Sequence, residues 1–187
     1  MQKIQILENL KESLALKESM LSYEMLGKSL AYNPYLPRAL TQGIKDYIFL
    51  TSHEISQKLL NTHIDAECII VNFKKLYEVG VPNMFDLEVL GLLRRHASSL
   101  IIHNDYFISH YQLLESLIQG SDGVILDEML LKEDLKDMVE FALRLGLSVL
   151  VETTTSKAYS DLRALGVLAV LEKVSNSQNE KKIVFLD

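Results

Sequence analysis

The chain has 187 residues, 48% hydrophobic and 24% charged, with only three prolines and eight glycines; this is the composition of one folded domain with a sizeable core rather than of a linker-rich or disordered protein. A formal net charge of -6 and a pI near 5.4 leave no basic field for a nucleic-acid backbone or an anionic membrane, so neither is expected as a partner. The basic pairs Lys74-Lys75, Arg94-Arg95 and Lys181-Lys182 are scattered and read as solvated charge. Cys68 is the single cysteine, which rules out an internal disulfide, and its place in the run CIIV points to inert burial.

In chain order, residues 3 to 31 carry Ile4, Leu7, Leu10, Leu14, Leu21 and Met25 at helical spacings, giving one long amphipathic helix or two whose stripe covers this domain or a partner. The N-terminus has no continuous apolar core of the signal-peptide kind, and no later run approaches a membrane span, so a cytoplasmic protein is expected. The prolines of NPYLPRAL end the helical run and are expected to start a new short element.

From residue 46 onward short apolar runs alternate with helical patterns: DYIFLTS with EISQKLLNTHI, AECIIVNF with MFDLEVLGLLRRH, SSLIIHND with SHYQLLESLIQG, DGVILDEML with KEDLKDMVEFALRLG, and LSVLVETT with SKAYSDLRALG. VLAVLEKV and KKIVFLD complete six strands and a seventh. Runs apolar on both faces, alternating with helices, predict a parallel sheet of six to seven βα units. Ser109 and Ser156 stand where N-caps belong, Glu133 and Asp134 place negative charge in a first turn, and Gly120, Gly146 and Gly166 mark helix ends. The division expected is a helical extension over 1–45 and an α/β domain over 46–187.

Ligands of parallel α/β folds bind at the C-terminal strand tips. Here those tips carry His103, Asn104 and Asp105 on the third strand, Asp127 and Glu128 on the fourth, Glu152 on the fifth, and Glu172 with Lys173 on the sixth. If the sheet curls these groups converge, and crowded carboxylates raise one another's pKa and divide into acid and base roles. The plainer reading of the same residues is that strand ends turn polar and cap the next helix. Acting together as an enzyme, they would use Glu152 as base, Glu172 or Asp127 as acid, and His103 as proton shuttle or metal ligand. His103, Asp105, Asp127 and Glu152 make an oxygen-rich set, but a single histidine at a strand end is more often hydrogen-bonded than ligated, and no metal is expected. Phosphate loops of Walker or Rossmann type and the nucleophile elbow do not occur, so no cofactor is expected.

Residues 104 to 152 resemble the indole-3-glycerol-phosphate synthases, whose third strand ends in Lys-Asp-Phe and leads into an Ile-x-x-Tyr-Gln helix. Asp105, Tyr111, Gln112, Asp122, Leu145-Gly146-Leu147 and Val151-Glu152 carry the likeness, and the Pro-Arg pair at 37 and 38 follows the family's order. The resemblance implies a (β/α)8-barrel ancestry, hence a TIM-barrel-like domain, incomplete or modified, behind a helical extension. It also implies an activity, closing the indole ring of a phosphorylated anthranilate-derived sugar with loss of carbon dioxide and water, a step of tryptophan biosynthesis.

By the same resemblance Glu152 stands at a catalytic acid/base glutamate, while the family's general-acid lysine falls on Asn104. A carboxamide cannot deliver a proton, and loss of a positioned general acid forfeits ~10²–10⁴-fold in rate. The first strand's Glu-x-Lys pattern reads LTSHEIS, the sixth strand's Gly-Ile-Asn-Asn reads Leu171-Glu172-Lys173-Val174, and Asp127 and Glu128 replace apolar positions. The sequence ends at Asp187 with no further run for an eighth strand, so half of the phosphate site of such barrels is expected to be missing. The expected outcome is a synthase-like barrel that has lost the ancestral reaction and acts as a binding or assembly module. A homo-oligomer or protein partner would cover its open sheet edge and N-terminal stripe, and a small molecule would have the strand tips. The alternatives are residual synthase activity with another lysine as acid, or a different lyase or isomerase reaction through Glu152.

Overall fold

The computed structural model describes residues 2–42, 44–61, 64–154, 159–173 and 181–186. The N-terminal periodicity resolves into two helices, α1 (Gln2–Met20) and α2 (Tyr23–Ser29), the second capped by the Ser22 hydroxyl, which accepts from Met25 N. Among the described residues, the stretch after the prolines forms no helix or strand before β1 (Tyr47–Leu50). There follow α3 (Ser52–Asn61), β2 (Cys68–Asn72), α4 (Met84–His96), β3 (Leu100–Asn104), α5 (His110–Ile118), β4 (Gly123–Asp127), α6 (Glu128–Leu131), α7 (Leu135–Arg144), β5 (Ser148–Glu152), α8 (Tyr159–Ala164), β6 (Ala169–Lys173) and β7 (Lys181–Phe185).

Local chemistry sets these limits. Asn83 and Asp86 form a reciprocal capping box that starts α4, and the Ser109 hydroxyl caps α5. Gly120, Gly146 and Gly166 take φ of +97°, +80° and +89°, the left-handed turn at which α5, α7 and α8 give way to the next strand. Ser156 lies outside the described residues.

The seven strands pair in sequence order. β1 through β6 are parallel, as alternation with helices requires, but β7 runs antiparallel to β6, with Leu171 opposite Ile183 and Lys173 opposite Lys181. This corrects the expectation of a uniformly parallel sheet: the segment joining β6 to β7 is too short for a parallel crossover, which takes a dozen residues or more.

The sheet curls into a TIM-barrel-like half-barrel. Its inward side chains form one core, in which Tyr47 and Phe49 of β1 join Cys68, Ile70, Ile102, Ile125, Leu150, Ala169, Leu171 and the β7 residues Ile183 and Phe185. β1 and β7 share no ladder, yet Ile183 N donates to the Tyr47 hydroxyl across the seam at 3.2 Å. At Gly123 the wall admits no side chain, since a Cβ there would lie 2.5 Å from the Ser148 carbonyl oxygen. The outward side chains pack under the helices in two further clusters, around Val124, Val139 and Val149 and around Ile69, Leu90 and Ile101.

The helical extension is fastened by apolar packing and by hydrogen bonds. Leu10 and Leu14 of α1 bury against Tyr111 and Leu114 of α5, with Lys17 paired to Glu115 at 2.9 Å. The Pro-Arg segment is held from below by Asp122, fully buried just before β4. Its carboxylate accepts from Arg38 N, Nε and Nη2, from Arg94 Nη1 and from Ile101 N. Among the described residues no helix is long and apolar enough to cross a membrane.

Candidate functional site

Strand alternation decides which tip residues meet. Ile102, Ile125 and Leu150 point inward, so two residues further along Asn104, Asp127 and Glu152 hold inward positions, and Asn72 joins them by register with Asn104. The same parity turns His103 and Glu172 away. Of the residues expected at the mouth, the structure brings together Asp127, Glu152 and Asn104.

His103 instead lies buried between sheet and helices. Its ring sits edge-on between Phe73 and Phe107 at 4.7 and 4.9 Å, and Nδ1 lies 3.0 Å from the Ser116 hydroxyl. Asp105, on the same side, braces the loop after β3. It accepts from Tyr106 N at 2.7 Å and from the Tyr77 hydroxyl, whose phenol is pushed above its ordinary range, first by burial and then by the Asp105 charge. Gln112 completes the brace, accepting from Ile108 N and donating to the Tyr106 carbonyl. Glu128 is taken up by the Thr153 hydroxyl, and Glu172 stands opposite Lys182 across the β6–β7 pair. Nothing is described of the Lys173 side chain.

Lysines absent from the tip inventory fill the mouth. Lys74, in the turn after β2, donates to Asp127 Oδ2 at 3.1 Å and to Glu152 Oε2 at 2.8 Å; Lys181 of β7 donates to Glu152 Oε1 at 2.7 Å. Neither is the solvated charge that pairs of surface lysines suggest. Burial, the largest influence on the Glu152 carboxyl, would raise it, but the two ammonium groups outweigh that and hold it below the ordinary value. Burial likewise works against the Lys74 ammonium, and Glu152 and Asp127 more than restore it, leaving Lys74 above its ordinary value. Carboxylates crowded alone would have raised one another; cations placed between them reverse the sign for Glu152.

Around this network, Asp127 Oδ1 accepts from Leu130 N and so starts α6. Asn104 donates to Asn72 Oδ1 at 3.3 Å, while its own Oδ1 is buried without a partner among the described residues. The Tyr106 ring lies under Lys74 Nζ, 4.9 Å from the centroid. Beside it opens a cavity of about 160 Å³, lined by Ile6 and Leu7 of α1, Tyr106, Asp127, Met129, Leu130 and Lys132. No group of three or more His, Cys, Asp or Glu among the described residues is arranged to hold a metal; His103 and Asp105 lie across the sheet from Asp127 and Glu152. Burial, the foremost cause, pushes the Cys68 thiol up to about 12, consistent with an inert side chain.

The family model for indole-3-glycerol phosphate synthase matches residues 82–170. An indole-3-glycerol phosphate synthase of Campylobacter jejuni is 33% identical over 162 residues, covering 79% of this chain and 63% of that protein. One from Campylobacter hominis is 32% identical over 169 residues, covering 82% and 65%. The chain is a homologue of the indole-3-glycerol phosphate synthases. A more distant family member, from Sulfurimonas denitrificans, is 27% identical over 168 residues. The chain spans just under two thirds of the length of the curated synthases it matches.

Proposed function

We propose that this synthase relative no longer performs the ring-closing decarboxylation and that its mouth serves to bind a small molecule. The observation that carries this reading is where the ammonium groups are: Lys74 and Lys181 are both engaged by Glu152. Ring closure needs a proton delivered to a carbonyl and a base free to take one. Asn104 cannot supply the first, Lys74 holds its proton more tightly than an ordinary lysine, and Glu152 is held as a carboxylate with a weakened pull on protons. One observation favours a second reading: Lys74 already stands in the mouth beside Glu152, as a general acid replacing the missing lysine would.

An assay of indole-ring formation from the phosphorylated anthranilate-derived sugar separates the two. The wild type is expected to stay at background, with turnover emerging in Asn104→Lys. Wild-type turnover that Glu152→Gln and Lys74→Met each abolish would establish the second reading and sink the first.

The proposal extends to assembly. Ile4, Leu16, Met20 and Met25 are exposed along α1 and α2, apolar side chains that a second copy of the chain would cover. Light scattering after size exclusion is expected to give a dimer, and a monomer at tens of micromolar concentration would count against it.

A further inference from the structure

We infer that the ligand of the mouth cavity is a small organic cation, a primary amine on an apolar or aromatic body, rather than an anion; this rests on the binding role proposed above. Two features point the same way. First, the mouth already holds a cation. Lys74 Nζ is gripped by Asp127 and Glu152 and lies over the Tyr106 ring. Two carboxylates and an aromatic face are the surroundings that select an ammonium ion.

Second, the cavity continues this chemistry into open space. Asp127 and Tyr106 line it, and Ile6, Leu7, Met129 and Leu130 supply an apolar wall for the body of a ligand. Each carboxylate oxygen of Asp127 has one donor, from Leu130 N or Lys74, so each retains a lone pair for another N–H. Lys132, the other charged residue lining the cavity, is exposed, where solvent screens it.

An anion entering the cavity would meet the Asp127 carboxylate in its wall, and the ammonium nearest to that carboxylate, Lys74, is already engaged by it.

The test compares phenethylamine with phenylacetate, nearly the same body with opposite charge, by calorimetry on the full chain. Phenethylamine is expected to bind at least tenfold more tightly than phenylacetate. Asp127→Asn keeps an N-capping residue for α6 and is expected to cost amine binding tenfold or more; Tyr106→Leu removes the ring face and is expected to weaken it several-fold. Thermal midpoints for both variants show whether the fold is kept. Tighter binding of phenylacetate, failure of either compound to bind, or an affinity for the amine unmoved by Asp127→Asn in a folded variant would overturn the inference. These outcomes leave the ring-closure assay untouched: a silent assay with no amine binding sinks this ligand alone, whereas wild-type turnover sinks the reading beneath it.

Discussion

Replacing Asp122 with alanine is expected to destabilise the protein by about 3–5 kcal/mol, the cost of removing one partner of a buried charge network. The fully buried carboxylate receives five hydrogen bonds: three from Arg38, one from Arg94 and one from the β3 backbone at Ile101. Alanine leaves the Ile101 N–H unpaired in the interior and two guanidinium groups facing each other without a counter-ion. It also frees the segment through Tyr35 and Pro37, because Arg38 further donates to the Ser98 and Ser99 carbonyls and Arg94 to that of Leu36. Asp122→Asn, which keeps the shape and one acceptor oxygen, should cost less. Urea denaturation of the three proteins checks the order, and an alanine variant within 1 kcal/mol of wild type would refute this account of the network.

The second large effect is expected at Lys74, with a pH signature. Lys74→Met should cost about 3 kcal/mol near neutrality, since it takes the paired cation from Asp127 and leaves Glu152 with Lys181 alone. In the wild type the Glu152 carboxyl is depressed, so its contribution is present above the ordinary value of 4.5 and lost as pH falls through the lower folded value. The Lys74 ammonium is raised, so its contribution is full below 10.5 and lost as pH climbs through the higher folded value. Together they give a stability plateau between those limits. In Lys74→Met the desolvation of Glu152 is less opposed and its pKa rises, so the gap between the proteins should narrow as the solution is acidified below 4.5. Unfolding curves from about pH 3 to 10 measure it; a gap independent of pH would show that lost packing of the lysine stem, not charge, is responsible.

Much of the architecture was legible because it follows from local rules. The apolar runs became strands, and the three glycines placed at helix ends took positive φ. The site was less legible, for identifiable reasons. His103 and Glu172 stand as near to a strand end as Glu152 does, but a period of two, counted from inward Ile102 and Leu171, turns both away. Lys74 carries no signal of its role in the sequence, because it follows β2 by two residues and sits beside another lysine, a pattern that on most surfaces means solvation. Only the curl of the sheet, bringing the tip of β2 within reach of β4 and β5, makes it a partner of Asp127 and Glu152. Asp105 and Gln112, which carried much of the resemblance, brace the loop after β3 and thereby fix Tyr106 beside the mouth.

The contact of Tyr47 with Ile183 gives the barrel a grain. Every other neighbouring pair of strands is stitched by a backbone ladder, but the first and last are joined across their gap by a phenol oxygen. A wall laced everywhere except along one line parts along that line, so thermal breathing should begin there. The Lys181–Glu152 pair ties β7 back to β5 at the charged end, so that end resists the parting more than the rest of the seam does.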